Sequence, residues 1–366
     1  MEISIIGLPK SGKTTVFNAL TRRTVSTEPR TLSRPTPNIG IAKVPEPRLE
    51  ALEKIFHPKK VTFAEIRYVD IAGITKGFGK SEGIEGQLLN YLSKADALLH
   101  VVRAFKDETV PHVDGSVDPK RDIATMNFEL IFSDLSIIER RLQRAREFLK
   151  GAKGQERDLI IKEEALLNKI KAGLEKEIPI SEQGLTAEEI HSLANYQFLT
   201  AKPALIVVNI DENQIAESSA IEAELRQCYP KANWRILAVC GKLEMELAQL
   251  NEDESKEFRA TLGLSEPAID RVIRASYELL GLISFFTTVS DELKAWTIPK
   301  GTTALKAAGK IHSDIEKGFI KAEVLSFAEL QRCGSLAEAR RRGLLRLEGK
   351  NYIVQDGDII TFLFNV

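Results

Sequence analysis

One loop constrains this chain more than any other stretch. Glu2 to Ile6 is a short apolar run rich in β-branched residues, Thr14 to Leu20 opens a helical pattern, and Gly7-Leu8-Pro9-Lys10-Ser11-Gly12-Lys13-Thr14 joins them. G-x-x-x-x-G-K-[ST] between strand and helix is the pattern of a phosphate-binding loop. Gly7 and Gly12 allow backbone conformations that a Cβ would strain, so the amide N–H groups from Lys10 through Ser11, Gly12, Lys13, Thr14 and Thr15 can face an anion. Pro9 has no N–H to donate. Lys13 is expected to reach the terminal phosphates, Thr14 to give its hydroxyl to Mg²⁺, and the positive end of the following helix to face the charge.

A length of 366 residues exceeds one typical core, so two or three domains are expected. With 43% hydrophobic and 28% charged residues, the composition is that of an ordinary soluble globular protein. A formal net charge of −1 predicts no global attraction to nucleic acid or membrane, so any such contact must come from a local patch. No apolar stretch approaches a membrane span, and Met1-Glu2-Ile3-Ser4 lacks the basic start of a signal peptide. A cytoplasmic location is expected, with neither membrane nor DNA as partner. Cys228, Cys240 and Cys333 show neither metal spacing nor an even disulfide set, and are expected as small reduced hydrophobes.

From Thr21 to Asn38 the chain is polar and punctuated by Pro29, Pro35 and Pro37, which suits a loop that closes over nucleotide. Thr36 is expected to ligate Mg²⁺, with Thr31 and Ser33 as competitors. Ile66 to Asp70 reads as a strand ending in an acid, and Asp70-Ile71-Ala72-Gly73 is a D-x-x-G motif at a strand's carboxyl end. Asp70 would hold Mg²⁺ through water, and the Gly73 N–H would touch the γ-phosphate. Ile74 stands where many GTPases carry the glutamine that orients the attacking water, and an isoleucine can neither donate nor accept. Gly77, Gly79, Gly83 and Gly86 follow, as in a mobile switch with a helix beginning near Glu85.

Ala97 to Arg103 and Ala204 to Asn209 are buried-strand runs. Between them Leu135, Ile138, Leu142, Ala145 and Leu149 alternate three and four apart, and Ile160, Leu167, Ile170 and Leu174 resume after Gly151 to Gly154, predicting an antiparallel helical hairpin. Its charged flanks, from Glu139-Arg140-Arg141 to Arg146, read as solvated faces. Thr186 to Glu189 has capping-box spacing. Asn209-Ile210-Asp211-Glu212 falls where GTPases carry N-K-x-D. Ile210 replaces the lysine that packs on guanine, and Glu212 is a methylene too long for the aspartate's geometry. The Asn209 amide could match the Hoogsteen edge of adenine, so adenine is expected over guanine. Cys240 and Gly241 should supply the backbone under the base.

On these residues the chain resembles the YchF family, the Obg-like branch of the translation-associated P-loop NTPases. The likeness continues through Glu266-Pro267, Arg271 to Arg274, Ala295 to Pro299, Ala308 to Asp314, Glu316 to Ile320, Tyr352 to Val354 and Asp356 to Asp358. The resemblance implies an α/β fold: a P-loop NTPase G domain over 1–133 and 198–282, an inserted antiparallel helical hairpin over 134–197, and a C-terminal β-grasp (TGS) domain over 283–366. It implies Mg²⁺-dependent ATP hydrolysis, with ATP preferred to GTP, and association with ribosomes. Contact would be with the large subunit, and with rRNA or tRNA through the TGS domain and the helical insertion. Members share a hydrophobic residue in place of the catalytic glutamine, as at Ile74, and place a histidine that positions water where this chain has His112. With Lys13, His112 is therefore a catalytic candidate, and a solvated loop histidine is its alternative.

Two departures stand out. Family loops carry an asparagine at Lys10, which in related NTPases helps bind a stimulating K⁺. Either the Lys10 ammonium takes the cation's place and stabilises charge between the phosphates, or it is a solvent-facing lysine, so a K⁺ requirement stays open. Leu32 to Thr36 also lacks the family's usual switch sequence.

From about Ile283 the pattern turns to short alternating runs, as in a small mixed sheet. Arg340-Arg341-Arg342 with Arg346 is the clearest basic cluster, either an RNA contact or a solvated helix end. A nucleotide-gated ribosome-binding switch with negligible intrinsic hydrolysis, and a GTPase of the same architecture, remain as alternatives to a slow ATPase.

Overall fold

The computed structural model describes residues 1–25, 37–71, 84–289 and 291–365. Thr31, Ser33, Thr36, Gly73 and Ile74 lie outside the described residues. In chain order the first elements are β1 (Glu2–Ile6), α1 (Lys13–Thr21), β2 (Asn38–Lys43), α2 (Pro47–Phe56), β3 (Lys60–Thr62), β4 (Glu65–Asp70), α3 (Ile84–Lys94) and β5 (Ala97–Arg103). The long helices α4 (Pro119–Leu149) and α5 (Gly154–Leu174) follow, then α6 (Ala187–Leu193), β6 (Ala204–Asn209), α7 (Ser218–Cys228), β7 (Trp234–Val239), α8 (Gly241–Leu247), α9 (Glu252–Thr261) and α10 (Ala268–Leu279). The chain ends with β8 (Leu282–Val289), β9 (Glu292–Pro299), α11 (Ala304–Ile311), α12 (Ser313–Lys317), β10 (Phe319–Ser326), α13 (Phe327–Cys333), α14 (Leu336–Arg341), β11 (Arg346–Glu348) and β12 (Asp358–Phe364).

Two compact units result, one of Met1–Gly40 with Arg67–Val272 and one of Ile41–Ile66 with Ile273–Val366. In the first, the sheet order is β2-β4-β1-β5-β6-β7, and β1 pairs in parallel with both β4 and β5, as do β5 with β6 and β6 with β7. Every residue of β5 and β6 is buried, which is why both read as unbroken apolar runs. Ile206, Val208, Ile236 and Leu243 share one core, and Ile6, Val69, Leu98 and Met126 share another. With chain order 4-1-5-6 across its centre, the sheet carries the ends of β1, β4, β5 and β6 on one edge, where ligands of open α/β sheets bind.

The expected hairpin is present. Helix α4 runs 31 residues without a break, capped by Asp118, whose carboxylate accepts the N–H groups of Lys120 and Arg121 at 3.1 Å. Residue 134, where the family resemblance puts the start of the insertion, falls inside this helix. Ile138, Leu142, Leu167, Ile170 and Leu174 close the seam between α4 and α5, each contributing about 1.5–3 kcal/mol by burial. Thr186 and Glu189 form the capping box of α6. Buried Asp134 ties the hairpin's exit to its entry by accepting from Leu199 N, Thr200 N and Thr200 Oγ1 at 2.8, 2.8 and 2.7 Å.

The second unit has the mixed sheet β11-β10-β12-β8-β9-β3, with a core of Phe285, Ile298, Ala307, Ala322 and Ile360. Helix α11 contributes Ala304 and Ala307 to that core, as a β-grasp arrangement requires. Residues 41–66 join this unit through β3, which pairs with β9, and through Arg48, whose guanidinium bonds Asp356 at 2.8 Å. Among the described residues no helix is long and apolar enough to cross a membrane.

Candidate functional site

The loop after β1 is built as its spacing predicts. Gly7 has φ +149° and a Cβ there would lie 2.3 Å from the Val101 carbonyl oxygen; Gly12 has φ +91° and a Cβ would lie 2.2 Å from Asn209 Nδ2. Neither position admits another residue without moving the loop or its neighbour. Lys13 is buried, and its Nζ donates to the carbonyls of Gly7 and Leu8, each at 2.9 Å. Burial lowers its pKa to about 8, against the opposing pull of the Asp70 charge. The ammonium thus crosses the loop that its own chain forms. Ser11 Oγ is buried with no partner among the described residues.

Asp70 ends β4 beside this loop. Its Oδ2 accepts from Thr14 Oγ1 at 2.9 Å and from Asn38 Nδ2 at 3.2 Å, while Oδ1 is buried with no partner among the described residues. A hydroxyl beside an unfilled carboxylate oxygen is a hard oxygen donor set, and it fits Mg²⁺ held partly through water. Asn38 carries no sequence signal for this role, because an asparagine at the end of a proline-punctuated stretch reads as a turn residue.

His100, on β5, is also new. Burial, helped by the nearby Lys13 charge, pushes its imidazole down to about 3, so it stays neutral in the wall of the site.

Several of the expected residues are held by other parts of the protein. Asn209 is 4% exposed and works as a tie: its Nδ2 donates to the Ser11 carbonyl at 3.1 Å and its Oδ1 accepts the Gly241 N–H at 3.0 Å. Its amide is therefore oriented by the protein, not turned freely toward a base. Ile210 lies in the core with Ile236 and Leu243. Asp211 caps the short turn that follows by accepting from Asn213 N at 3.4 Å, and Glu212 beside it is exposed, whereas Cys240 and Gly241 are buried.

His112, a candidate for positioning water with a solvated loop histidine as the alternative, is not in solvent. Its side chain is 3% exposed, Nε2 lies 2.8 Å from Asp122 Oδ2, and Nδ1 accepts the Asp114 N–H at 3.0 Å. His112, Asp114 and Asp122 place ligand atoms within 4.8 Å of one another, but Arg121 already bonds Asp122 at 2.9 Å and supplies the positive charge a metal would. Buried Arg103, whose pKa is lowered by burial with Asp107 and Asp122 opposing, adds a second cation nearby.

The cluster at Arg340–Arg342 is partly compensated, its three arginines meeting two carboxylates. Arg340 pairs with Glu323 at 3.2 Å, Arg341 and Arg342 share Glu338 at 2.8 and 2.5 Å, and Arg346 reaches the Tyr352 hydroxyl at 3.3 Å. Lys10 is exposed, in the left-handed region at φ 63°.

Against known families, residues 2–133 match the model described as "50S ribosome-binding GTPase", and residues 282–365 match the YchF-GTPase C-terminal model, described as "Protein of unknown function (DUF933)". The chain is 41% identical to "Ribosome-binding ATPase YchF" of Bacillus subtilis (strain 168), covering 100% of both chains. It is 40% identical to the protein of that name in Escherichia coli O157:H7, covering 100% of this chain and 99% of the other. The solved "Structure of the Schizosaccharomyces pombe YchF GTPase" superposes with a TM-score of 0.85 at 30% identity, over 99% of this chain and 97% of that one.

Proposed function

Because this chain belongs to the YchF family, we propose that it is a Mg²⁺-dependent ATPase that associates with ribosomes, prefers ATP to GTP and works in the cytoplasm. The observation that carries the reading is the meeting of buried Lys13 and Thr14 at the start of α1 with Asp70 at the end of β4, Asp70 Oδ1 having no partner among the described residues. The amides from Lys10 to Thr15 would hold the phosphate chain, and Lys13 would neutralise charge on its terminal oxygens as water attacks the γ-phosphorus and the bond to the bridging oxygen of ADP breaks. Thr14 and Asp70, with Thr36 and the Gly73 N–H as further candidates, would hold Mg²⁺ and the γ-phosphate, and the ion would supply charge neutralisation between the outer phosphates. The domains proposed for this work are the G domain over 1–133 and 198–282, the insertion over 134–197 and a TGS domain over 283–366.

The preference for ATP is supported by Ile210, which is 3% exposed and cannot lie on a base as the lysine of N-K-x-D does. Exposed Glu212 then remains to distinguish the purines, with the Cys240-Gly241 backbone as a wall of the base site. His112 could position water only after leaving Asp122, and Arg121 and Arg103 would then keep the Asp122 charge compensated. Slow turnover that a partner accelerates follows from that arrangement. RNA contact fits the helical insertion better than the paired arginines of the C-terminal unit.

The test is direct. Purified protein with Mg²⁺ should hydrolyse ATP, and Lys13→Ala or Asp70→Ala should abolish it without unfolding the chain. Competition in one binding assay should favour ATP over GTP, and ribosomes should raise the rate. A clear preference for GTP would overturn the base assignment.

A further inference from the structure

Asn38 is the first residue of β2, and Asp70 is the last residue of β4, its neighbour in the sheet. Their side chains meet there, with Asn38 Nδ2 donating to Asp70 Oδ2 at 3.2 Å. An asparagine that serves a turn bonds backbone close to it in sequence. Asn18 behaves in that local way: its amide donates to the Val25 carbonyl at 2.7 Å and accepts the Val25 N–H at 3.0 Å. The Asn38 amide instead reaches a carboxylate 32 positions away.

The two oxygens of Asp70 are unequal. Oδ2 accepts from Thr14 Oγ1 at 2.9 Å as well as from Asn38, whereas Oδ1 is buried with no partner among the described residues. A carboxylate turns easily about its last bond, whose torsional preference is broad and roughly two-fold. One donor leaves it free to rock about that contact; two donors, one from α1 and one from β2, hold its plane. The same charge fixes the amide, because turning it over would set its oxygen against Oδ2. Asp70 is 1% exposed, so bulk water does not satisfy the open oxygen, and a buried acceptor of this kind calls for an occupant.

We propose that Asn38 is a positioning residue for the metal: by pinning Asp70 Oδ2 it keeps Oδ1 as the oxygen presented to Mg²⁺ and its water shell. Asn38 acts only through Asp70, so its role rests on the Mg²⁺ dependence proposed above. Thr14 cannot do this alone, since its hydroxyl oxygen is itself a candidate metal ligand. A neutral donor suits the place. A lysine or arginine would cancel the Asp70 charge that attracts the ion, and an apolar side chain would leave the carboxylate free to turn. Partners that orient a ligating group in this way typically change metal affinity by about 10- to 100-fold when removed.

The experiment titrates Mg²⁺ against binding of a fluorescent, hydrolysis-resistant ATP analogue, with a parallel measurement in EDTA. Wild type is compared with Asn38→Ala, with Asn38→Leu, which fills the same space without a donor, and with Ile39→Ala, a cut at the exposed neighbouring position of β2. Circular dichroism checks folding. Both Asn38 variants should need about tenfold more Mg²⁺ than wild type, while their affinity in EDTA and the behaviour of Ile39→Ala stay unchanged. An unchanged Mg²⁺ requirement, or one restored by leucine, would overturn the proposal and leave the Mg²⁺ dependence of the site intact. A loss of affinity as large in EDTA as in Mg²⁺ would also overturn it, because Asn38 would then support the fold around the loop and not the metal. A wild type that binds the analogue equally well with and without Mg²⁺ would overturn the metal reading together with the role given to Asn38.

Discussion

The Asn209 side chain joins the loops at Ser11 and Gly241, donating to the Ser11 carbonyl at 3.1 Å while it holds the Gly241 N–H at 3.0 Å. A residue that could have been a base reader is thus first a brace for the phosphate loop. Asn209→Ala should weaken ATP and GTP alike, by about tenfold or more, since it leaves a buried N–H unpaired and frees the loop. Parallel titrations with both nucleotides check this. A loss confined to ATP would restore Asn209 as an adenine reader.

Lys13 predicts a pH signature. Because burial lowers its pKa to about 8, part of the nucleotide-free protein carries a neutral lysine above that pH, and the phosphates of ATP restore the charge. At pH 8.5, binding should take up about 0.8 proton, and ATP affinity should fall as pH rises further. Calorimetry in buffers of different ionisation enthalpy measures the uptake. Zero uptake at that pH would mean that the Gly7 and Leu8 carbonyls keep Lys13 fully charged.

What could be read from sequence was local or periodic. Gly7 to Thr14 is a contiguous pattern, Asp70 ends its own strand, and the α4–α5 seam repeats at helical spacing, so each is legible without knowing the partner across space. Asn38 and His100 are not, because their roles depend on Asp70 and Lys13 approaching from other strands. Nor is the association of residues 41–66 with the C-terminal strands, since β3 is only 3 residues long and its pairing with β9 leaves no period. The pairing of Arg341 and Arg342 with Glu338, three and four positions away, is legible at helical spacing and supports the solvated helix end of the two readings.

Asp134 offers a test of stability. Burial pushes its carboxyl up to about 6, against the pull of the Leu199 and Thr200 donors. A carboxyl raised in the folded state contributes stability that is fully present below its unfolded pKa, near 4, and is lost as pH rises through about 6. Asp134→Ala should destabilise by roughly 3 kcal/mol at pH 4.5, leaving two backbone N–H groups without an acceptor. The gap between wild type and variant should then narrow toward pH 7.5, in an unfolding series run at both ends. A constant gap would show that the three donors hold the carboxylate at its ordinary value.

Lys10 sits in the left-handed region at φ 63°, where an asparagine is well tolerated, so Lys10→Asn should leave the loop's course unchanged. If the exposed ammonium swings over the phosphates and takes the place of a monovalent cation, ATP hydrolysis by the natural chain should run equally fast in Na⁺ and K⁺ buffers. The asparagine variant should then be slower in Na⁺ and recover in K⁺, by about tenfold for one charge-stabilising contact of roughly 1.4 kcal/mol. A natural chain strongly stimulated by K⁺ would show that the cation still binds and that Lys10 only faces solvent. An asparagine variant indifferent to both ions, with an unchanged rate, would remove the side chain from catalysis altogether.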